Sequence, residues 1–252
     1  QNDSQSTSLT DAYRASFTEE ETALKAENTY FAAQIGKVTS ADGLINNTRL
    51  RTYVLEAVGL ESDNVSKTYL KQVLTSDLDD PESVANKAKN PAWKKLAEAF
   101  NFKADGTIDG SIQTTDQTED LKLDYIYNQS TFPSTLLHDA NTRYWEKNIA
   151  TVTTAKDLVA DSRMLEYVKK TFSLSSTIMP STVASLMSSE NAAAAYGNTK
   201  LLDAFNFETD GTLASGNTAQ TSAQTTVMVK DYKTAFNKDK TATIDDAVKN
   251  YD

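Results

Sequence analysis

Apolar residues recur along most of this chain at helical spacing. Leu50, Tyr53, Val54, Ala57 and Val58 follow i, i+3, i+4, i+7, i+8, which gathers them on one face of a 3.6-residue period. Thr48 stands where an N-cap is wanted, and Gly59 where a left-handed residue closes a helix. Met164, Tyr167, Val168 and Phe172 form a second stripe, with Ser162 as its cap. Asn90-Pro91 opens a helix carrying Trp93, Leu96, Ala97 and Phe100, and Asp80-Pro81 opens a shorter one in the same manner. Thr18 and Glu21 have capping-box spacing ahead of a helix with Leu24, Phe31 and Ile35. Leu121, Leu123, Tyr125 and Tyr127 alternate as in a strand, whereas Met228, Tyr232, Ala235 and Phe236 keep helical spacing. Both segments are read as helix, and the pattern predicts an all-α fold.

The stripes come in two sets. Val38-Thr39-Ser40-Ala41-Asp42-Gly43-Leu44-Ile45 returns as Val152-Thr153-Thr154-Ala155-Lys156-Asp157-Leu158-Val159, offset by 114. That offset also aligns Tyr30 with Tyr144, Phe31 with Trp145, Ile35 with Ile149, Arg49 with Arg163, Tyr53 with Tyr167 and Leu60 with Leu174. Leu96 to Phe102 returns as Leu201 to Phe207, now offset by 105. The second copy has therefore lost about nine residues, at the place of Asp77 to Pro91. A third echo, offset by 107, joins Gln113–Thr118 to Gln220–Thr225 and Asp124-Tyr125 to Asp231-Tyr232, and it sets Tyr144 against Tyr251. The organisation expected is two tandem divergent helical units of roughly 105–114 residues. They span residues 9–113 and 114–218, and residues 219–252 start a truncated third unit or form a C-terminal helical tail. Gly106 and Gly110, and again Gly211 and Gly216, mark a small hairpin or turn-rich loop after each Phe-Asn-Phe, where a unit boundary is expected.

Composition narrows the role. Of the 252 residues 39% are hydrophobic and 24% charged, enough apolar material for a core. The net charge of −10 argues against a nucleic-acid partner, whose phosphates need a basic surface. Lys and Arg are dispersed, so no block points to an anionic membrane. The longest apolar run, Ala192 to Tyr196, is too short to span a bilayer. Gln1 to Thr10 is polar and shows no signal-peptide pattern, although a trimmed targeting segment stays open because the chain does not start with Met. With no cysteine, disulfides, thiolate nucleophiles and cysteine metal sites are all excluded. Both a cytoplasmic location and export in unfolded form suit the composition.

Few residues invite a chemical reading. Asn101-x-Lys103-x-Asp105-Gly106-Thr107-Ile108 and Asn206-x-Glu208-x-Asp210-Gly211-Thr212-Leu213 resemble the middle of an EF-hand loop. Lys103 stands at position 3, where calcium needs an oxygen ligand, and Ile112 or Asn217 at position 12, where it needs a bidentate Glu. A plain Asp-Gly turn is the simpler reading. His138, the single histidine, lies beside Asp139 on an expected connection into the second copy, without any nucleophile-elbow sequence, and is read as a surface or packing residue. Asp79-Asp80 and Glu19-Glu20-Glu21 are read as helix-start acids, favoured by the dipole. Arg49 and Arg163, each one turn before a Tyr, are read as ties between helices, and Phe100, Phe102, Phe205 and Phe207 as core anchors. No residue is assigned to catalysis, to a cofactor or to a metal, and no phosphate loop is present.

The same residues carry a family likeness. Tyr30-Phe31, Val38 to Leu44, Arg49 to Leu60, Leu74 to Asn86 and Leu96 to Phe102, in that order, resemble the bacterial DUF1217 family, of unknown function. The second copy departs from it, with Ser188-Ser189-Glu190-Asn191 and a run of alanines in place of Asp-Pro-Glu-Ser-Val-Ala-Asn. Genes of this family lie among flagellar genes in alphaproteobacteria, and its members continue past the point where this chain stops. The resemblance implies a role linked to the flagellum and names no activity and no functional residue. The expectation is a non-enzymatic structural or interaction component with a protein partner, cytoplasmic or exported with the flagellar apparatus. The alternative is a small-ligand or calcium-binding module built on the paired Asp-Gly loops.

Overall fold

The computed structural model describes residues 2–250. Among them are fourteen α-helices, one 3-10 helix and no strand, so the fold is all-α. The contacts divide the chain into two compact units: Ala15–Ala140 forms the first, and Gln1–Arg14 with Asn141–Asp252 forms the second. The elements are α1 (Asn2–Gln34), η1 (Ile35–Lys37), α2 (Ala41–Asn46), α3 (Thr48–Ala57), α4 (Lys67–Leu74), α5 (Val84–Lys87), α6 (Pro91–Glu98) and α7 (Thr115–Gln129). They continue with α8 (Thr135–Ile149), α9 (Ala155–Ala160), α10 (Ser162–Thr171), α11 (Pro180–Ser188), α12 (Glu190–Tyr196), α13 (Thr199–Asp203) and α14 (Ser222–Lys249).

The boundaries expected at 113 and 218 fall elsewhere. Each Gly-bearing loop lies inside a unit, because the helix that follows it packs back on the unit's own core. In the first unit α7 lies against α3, where Asn128 Nδ2 and Gln129 Nε2 donate to the carbonyls of Ala57 and Glu56 at 2.8 and 2.9 Å. Those bonds satisfy the orphan acceptors at the end of α3. In the second unit α14 lies against α10. The third echo therefore marks the closing helix of each unit, begun in both cases by a capping box, Thr114 with Gln117 and Thr221 with Gln224. Tyr251, which was set against Tyr144, lies outside the described residues.

Local chemistry explains where other expectations shift. The cap of α3 is Asn47, whose Oδ1 accepts from Leu50 N at 3.0 Å; Thr48 is the first helical residue. The cap of α10 is Asp161, not Ser162, since its Oδ1 accepts from both Arg163 N and Met164 N. Ser83 rather than Asp80 opens α5, and Asp77 and Asp80 accept from Asp79 N and Glu82 N in the turns before it. Thr18 lies mid-helix, because residues 2–34 contain no Gly or Pro and Ser/Thr hydroxyls here fold onto carbonyls one turn back. In α7 the buried residues Leu121, Asp124 and Tyr125 are spaced three and four apart, and the strand-like alternation is incidental. Residues 75–83 join α4 to α5, while Ser189 alone joins α11 to α12.

An aromatic column anchors each core. Phe31, Tyr53 and Tyr125 stack in the first unit, with ring centroids 4.3 Å apart at both steps. Trp145, Tyr167 and Tyr232 stack in the second, at 4.9 and 3.7 Å. Burial pushes the Tyr125 and Tyr232 hydroxyls up to about 12 and raises those of Tyr53 and Tyr167 further, so all four are neutral packing groups near neutral pH.

Candidate functional site

The paired Asp-Gly loops are the part of the chain with the strongest claim to chemistry. In the first, Asp105 Oδ1 accepts from Thr107 N at 2.9 Å and from Thr107 Oγ1 at 2.6 Å. Gly106, at φ +84°, turns its carbonyl to the amide of Ala41 at 2.9 Å, clipping the loop to the start of α2. The second loop makes the same bonds: Asp210 Oδ1 accepts from Thr212 N and Oγ1 at 2.9 and 2.7 Å, and Gly211 O accepts from Ala155 N at 2.8 Å. The Thr107 and Thr212 hydroxyls, and then their amides, hold the two carboxyls below the ordinary aspartate value. In place of a developed hairpin, each loop has one bridge within itself, Phe102 to Ile108 and Phe207 to Leu213, and Thr107 bridges to Ser40 as well.

Several of the other oxygens an EF-hand would recruit are engaged as well. Asn101 Nδ2 donates to Ser111 O and to Gln117 Oε1, and Asn101 Oδ1 accepts from Gln117 Nε2 at 3.0 Å. Thr107 O accepts from Lys103 N at 2.8 Å. In the second loop Asn206 Nδ2 donates to Thr218 O, and Asn206 Oδ1 accepts from Gln224 Nε2. Among the described residues no three His, Asp or Glu side chains gather where they could hold a metal ion. A buried glutamine locks each loop from behind: Gln113 Nε2 donates to Ala99 O at 2.8 Å, and Gln220 Nε2 to Ala204 O at 2.9 Å. Gln220 Oε1 also accepts from the Trp145 indole at 3.2 Å. The recurring Gln-x-x-x-Gln of the third echo is the sequence trace of these locks.

Arg49 sits 3.6 Å from the centre of the Tyr30 ring and forms a two-pronged bond to Glu27, with Nη2 to Oε1 at 2.8 Å and Nε to Oε2 at 3.3 Å. That bond raises the Arg49 pKa. Arg163 lies over the Tyr144 ring at 3.8 Å, and Tyr144 donates to Asp161 at 2.5 Å. Each arginine thus ties its helix to the one bearing the tyrosine. Nearby, burial raises the Glu56 carboxyl, with the charge of Glu27 as the next cause. His138 is on α8 rather than a connection, largely covered, with Nδ1 2.8 Å from Asp139 Oδ1. Glu20 and Glu21 do not start a helix: Glu20 accepts from the amides of Thr131 and Phe132, and Glu21 accepts from that of Leu136. Glu21 supplies an acidic partner for the first turn of α8, and Glu20 for the connection before it, both from another helix. Phe100, Phe205 and Phe207 are buried and Phe102 half-buried, with Phe100–Phe102 and Phe205–Phe207 stacked at 5.7 and 5.9 Å.

The match to the model of the protein family of unknown function DUF1217 runs over residues 57–186, half of the chain. The chain belongs to the DUF1217 family. The matched stretch starts at the end of α3 and ends within α11. A crystal structure of an Agrobacterium tumefaciens protein is similar at 18% identity and a TM-score of 0.46, covering 89% of this chain and 88% of that one. No protein of curated function matches.

Beyond the loops, surface grooves open in the second unit of this DUF1217 chain. One, of about 580 Å³, is lined by Glu166, Lys169, Lys170, Lys238 and Asp239. Its charges are partly matched internally, Lys170 to Asp239 and Lys169 to Ser176 O. Another, of about 460 Å³, is more apolar and includes Phe172, Val227 and Met228. Nothing in the hydrophobic periodicity singles out Val227, which stands on the outward face of α14, 58% exposed. Among the described residues no helix is long and apolar enough to cross a membrane.

Proposed function

We propose that this DUF1217 protein is a non-enzymatic structural component that engages a protein partner, built from two divergent copies of one helical unit and linked to the bacterial flagellum. One observation carries the reading: the polar residues that recur in and behind the two Asp-Gly loops are bonded to their own unit's backbone and side chains. Asp105 and Asp210 close their own loops, while Asn101, Gln113 and Gln117, and again Asn206, Gln220 and Gln224, hold each loop to the helices around it. Residues that recur for catalysis or metal binding would keep donors or acceptors directed at a ligand. The two units share these bonds while differing over much of their surface, which fits a duplicated scaffold whose faces have diverged. The flagellar setting comes from the genes that accompany the family.

Deleting the gene and restoring it in trans tests this. Swimming is expected to fall in the deletion strain and to return with the wild-type gene. It should also return with a gene carrying Asp105→Asn, Asp210→Asn and His138→Gln, provided the variant melts like the wild type. Normal swimming of the deletion strain would remove the flagellar role. Failure of the stably folded triple variant would point back to chemistry at those side chains.

A further inference from the structure

The second unit's apolar groove differs from the same place in the first unit in a way that points to a ligand. In the first unit Lys95 on α6 and Asp124 on α7 form an ion pair at 3.0 Å, and the Asp124 side chain is only 5% exposed. The residues at the repeat offsets are Lys200 and Asp231, and both line the groove. Among the described residues they form no ion pair with each other or with any other group. Asp203, whose backbone carbonyl accepts from Gln224, brings a second carboxylate to the groove. Val227 occupies the position of Asp120, so an acid on a solvated face has become a large apolar side chain. Phe172 replaces Val58 and adds an aromatic wall. In the first unit, then, an ion pair stands at this place; in the second an apolar floor is bordered by two carboxylates and one lysine.

We propose that this groove is a docking site for a protein segment that presents a large apolar side chain next to a lysine or arginine. The apolar side chain would cover Val227 and Phe172, above the buried Met228, and remove their surface from water. The neighbouring cation would meet Asp231 and Asp203, whose charge is the excess on this rim. The volume of about 460 Å³ is within the usual size of a binding pocket and suits one or two large side chains. This proposal rests on the partner-binding reading above and gives it a location.

The test is a titration of the full chain, followed through its amide NMR signals, with a short amphipathic Lys/Leu peptide and with the same pattern in Glu/Leu. The Lys/Leu peptide is expected to shift the amides of Ala204, Val227, Met228 and Asp231, and to bind about tenfold or more tightly than the Glu/Leu peptide. Val227→Asp, which places at 227 the residue type of position 120, should weaken the Lys/Leu peptide about tenfold with an unchanged melting temperature. Asp231→Asn should weaken it less, and with a smaller salt dependence. Absence of shifts at those amides, equal affinity for the two peptides, or an undiminished affinity of Val227→Asp would each overturn the groove. None of these outcomes bears on the flagellar role, which the deletion strain tests separately.

Discussion

Positions 59 and 173 meet one demand with different residues. Both follow a helix whose last turn closes in the same way: Leu60 N and Leu174 N donate five residues back, to Leu55 O and Lys169 O, at 2.9 Å. That closure needs a left-handed residue, supplied by Gly59 at φ +80° and by Ser173 at φ +51°. A side chain in that conformation is strained by about 1–2 kcal/mol. Ser173→Gly should therefore stabilise the protein by about 0.5–1 kcal/mol, the relief less the added freedom of the unfolded chain. Gly59→Ser should destabilise it by about 1–2 kcal/mol or more, since a Cβ there would also meet Asn128 Oδ1 at 3.0 Å. Urea unfolding of both variants checks the opposite signs. In the core, Phe100→Ala and Phe205→Ala should each cost about 3–5 kcal/mol, because each ring is almost wholly buried. Losses below about 1 kcal/mol would mean that the rings do not anchor their units.

Elements show what was legible in advance and why. Helices were readable where periodic apolar residues coincided with a local cap, as at Asn90-Pro91, and the left-handed Gly59 was readable from its place after a stripe. Caps slid by one residue where two polar residues stood side by side, Asn47-Thr48 and Asp161-Ser162, because the choice depends on which oxygen reaches the third amide. Glu20 and Glu21 were unreadable in a different sense, since the amides they serve are more than a hundred residues away. The locks of the Asp-Gly loops were visible only as a recurring Gln spacing. Their pH dependence follows from the lowered Asp105 and Asp210 carboxyls. A carboxyl held below its ordinary value of 3.8 contributes stability above that value and loses it as pH falls through the folded-state value. Melting temperature should therefore fall as pH drops below about 4. The fall should be shallower in the Asp105→Asn, Asp210→Asn double variant, whose amides keep an acceptor without titrating. Parallel pH profiles would show that the loops do not contribute to acid lability.

At the scale of the molecule, two units each hold an aromatic column, an arginine over a tyrosine and a glutamine-locked loop within an all-α fold. The unit limits could not be read from the loops, because the closing helices α7 and α14 return to the core that the loops leave. The recurring polar residues of the Asp-Gly loops are engaged within their own units, which makes them parts of the scaffold in this account. If those residues are scaffold, a metal ion has nothing to gain by binding the folded loops, and a ligand that does not bind the native state cannot stabilise it. Thermal denaturation in millimolar calcium and again in excess chelator is the most direct measurement. The expected result is one melting temperature, agreeing within about 1 °C, for the wild type and for the Asp105→Asn, Asp210→Asn variant. A rise of several degrees with calcium, lost in that variant, would show instead that the paired loops bind a cation.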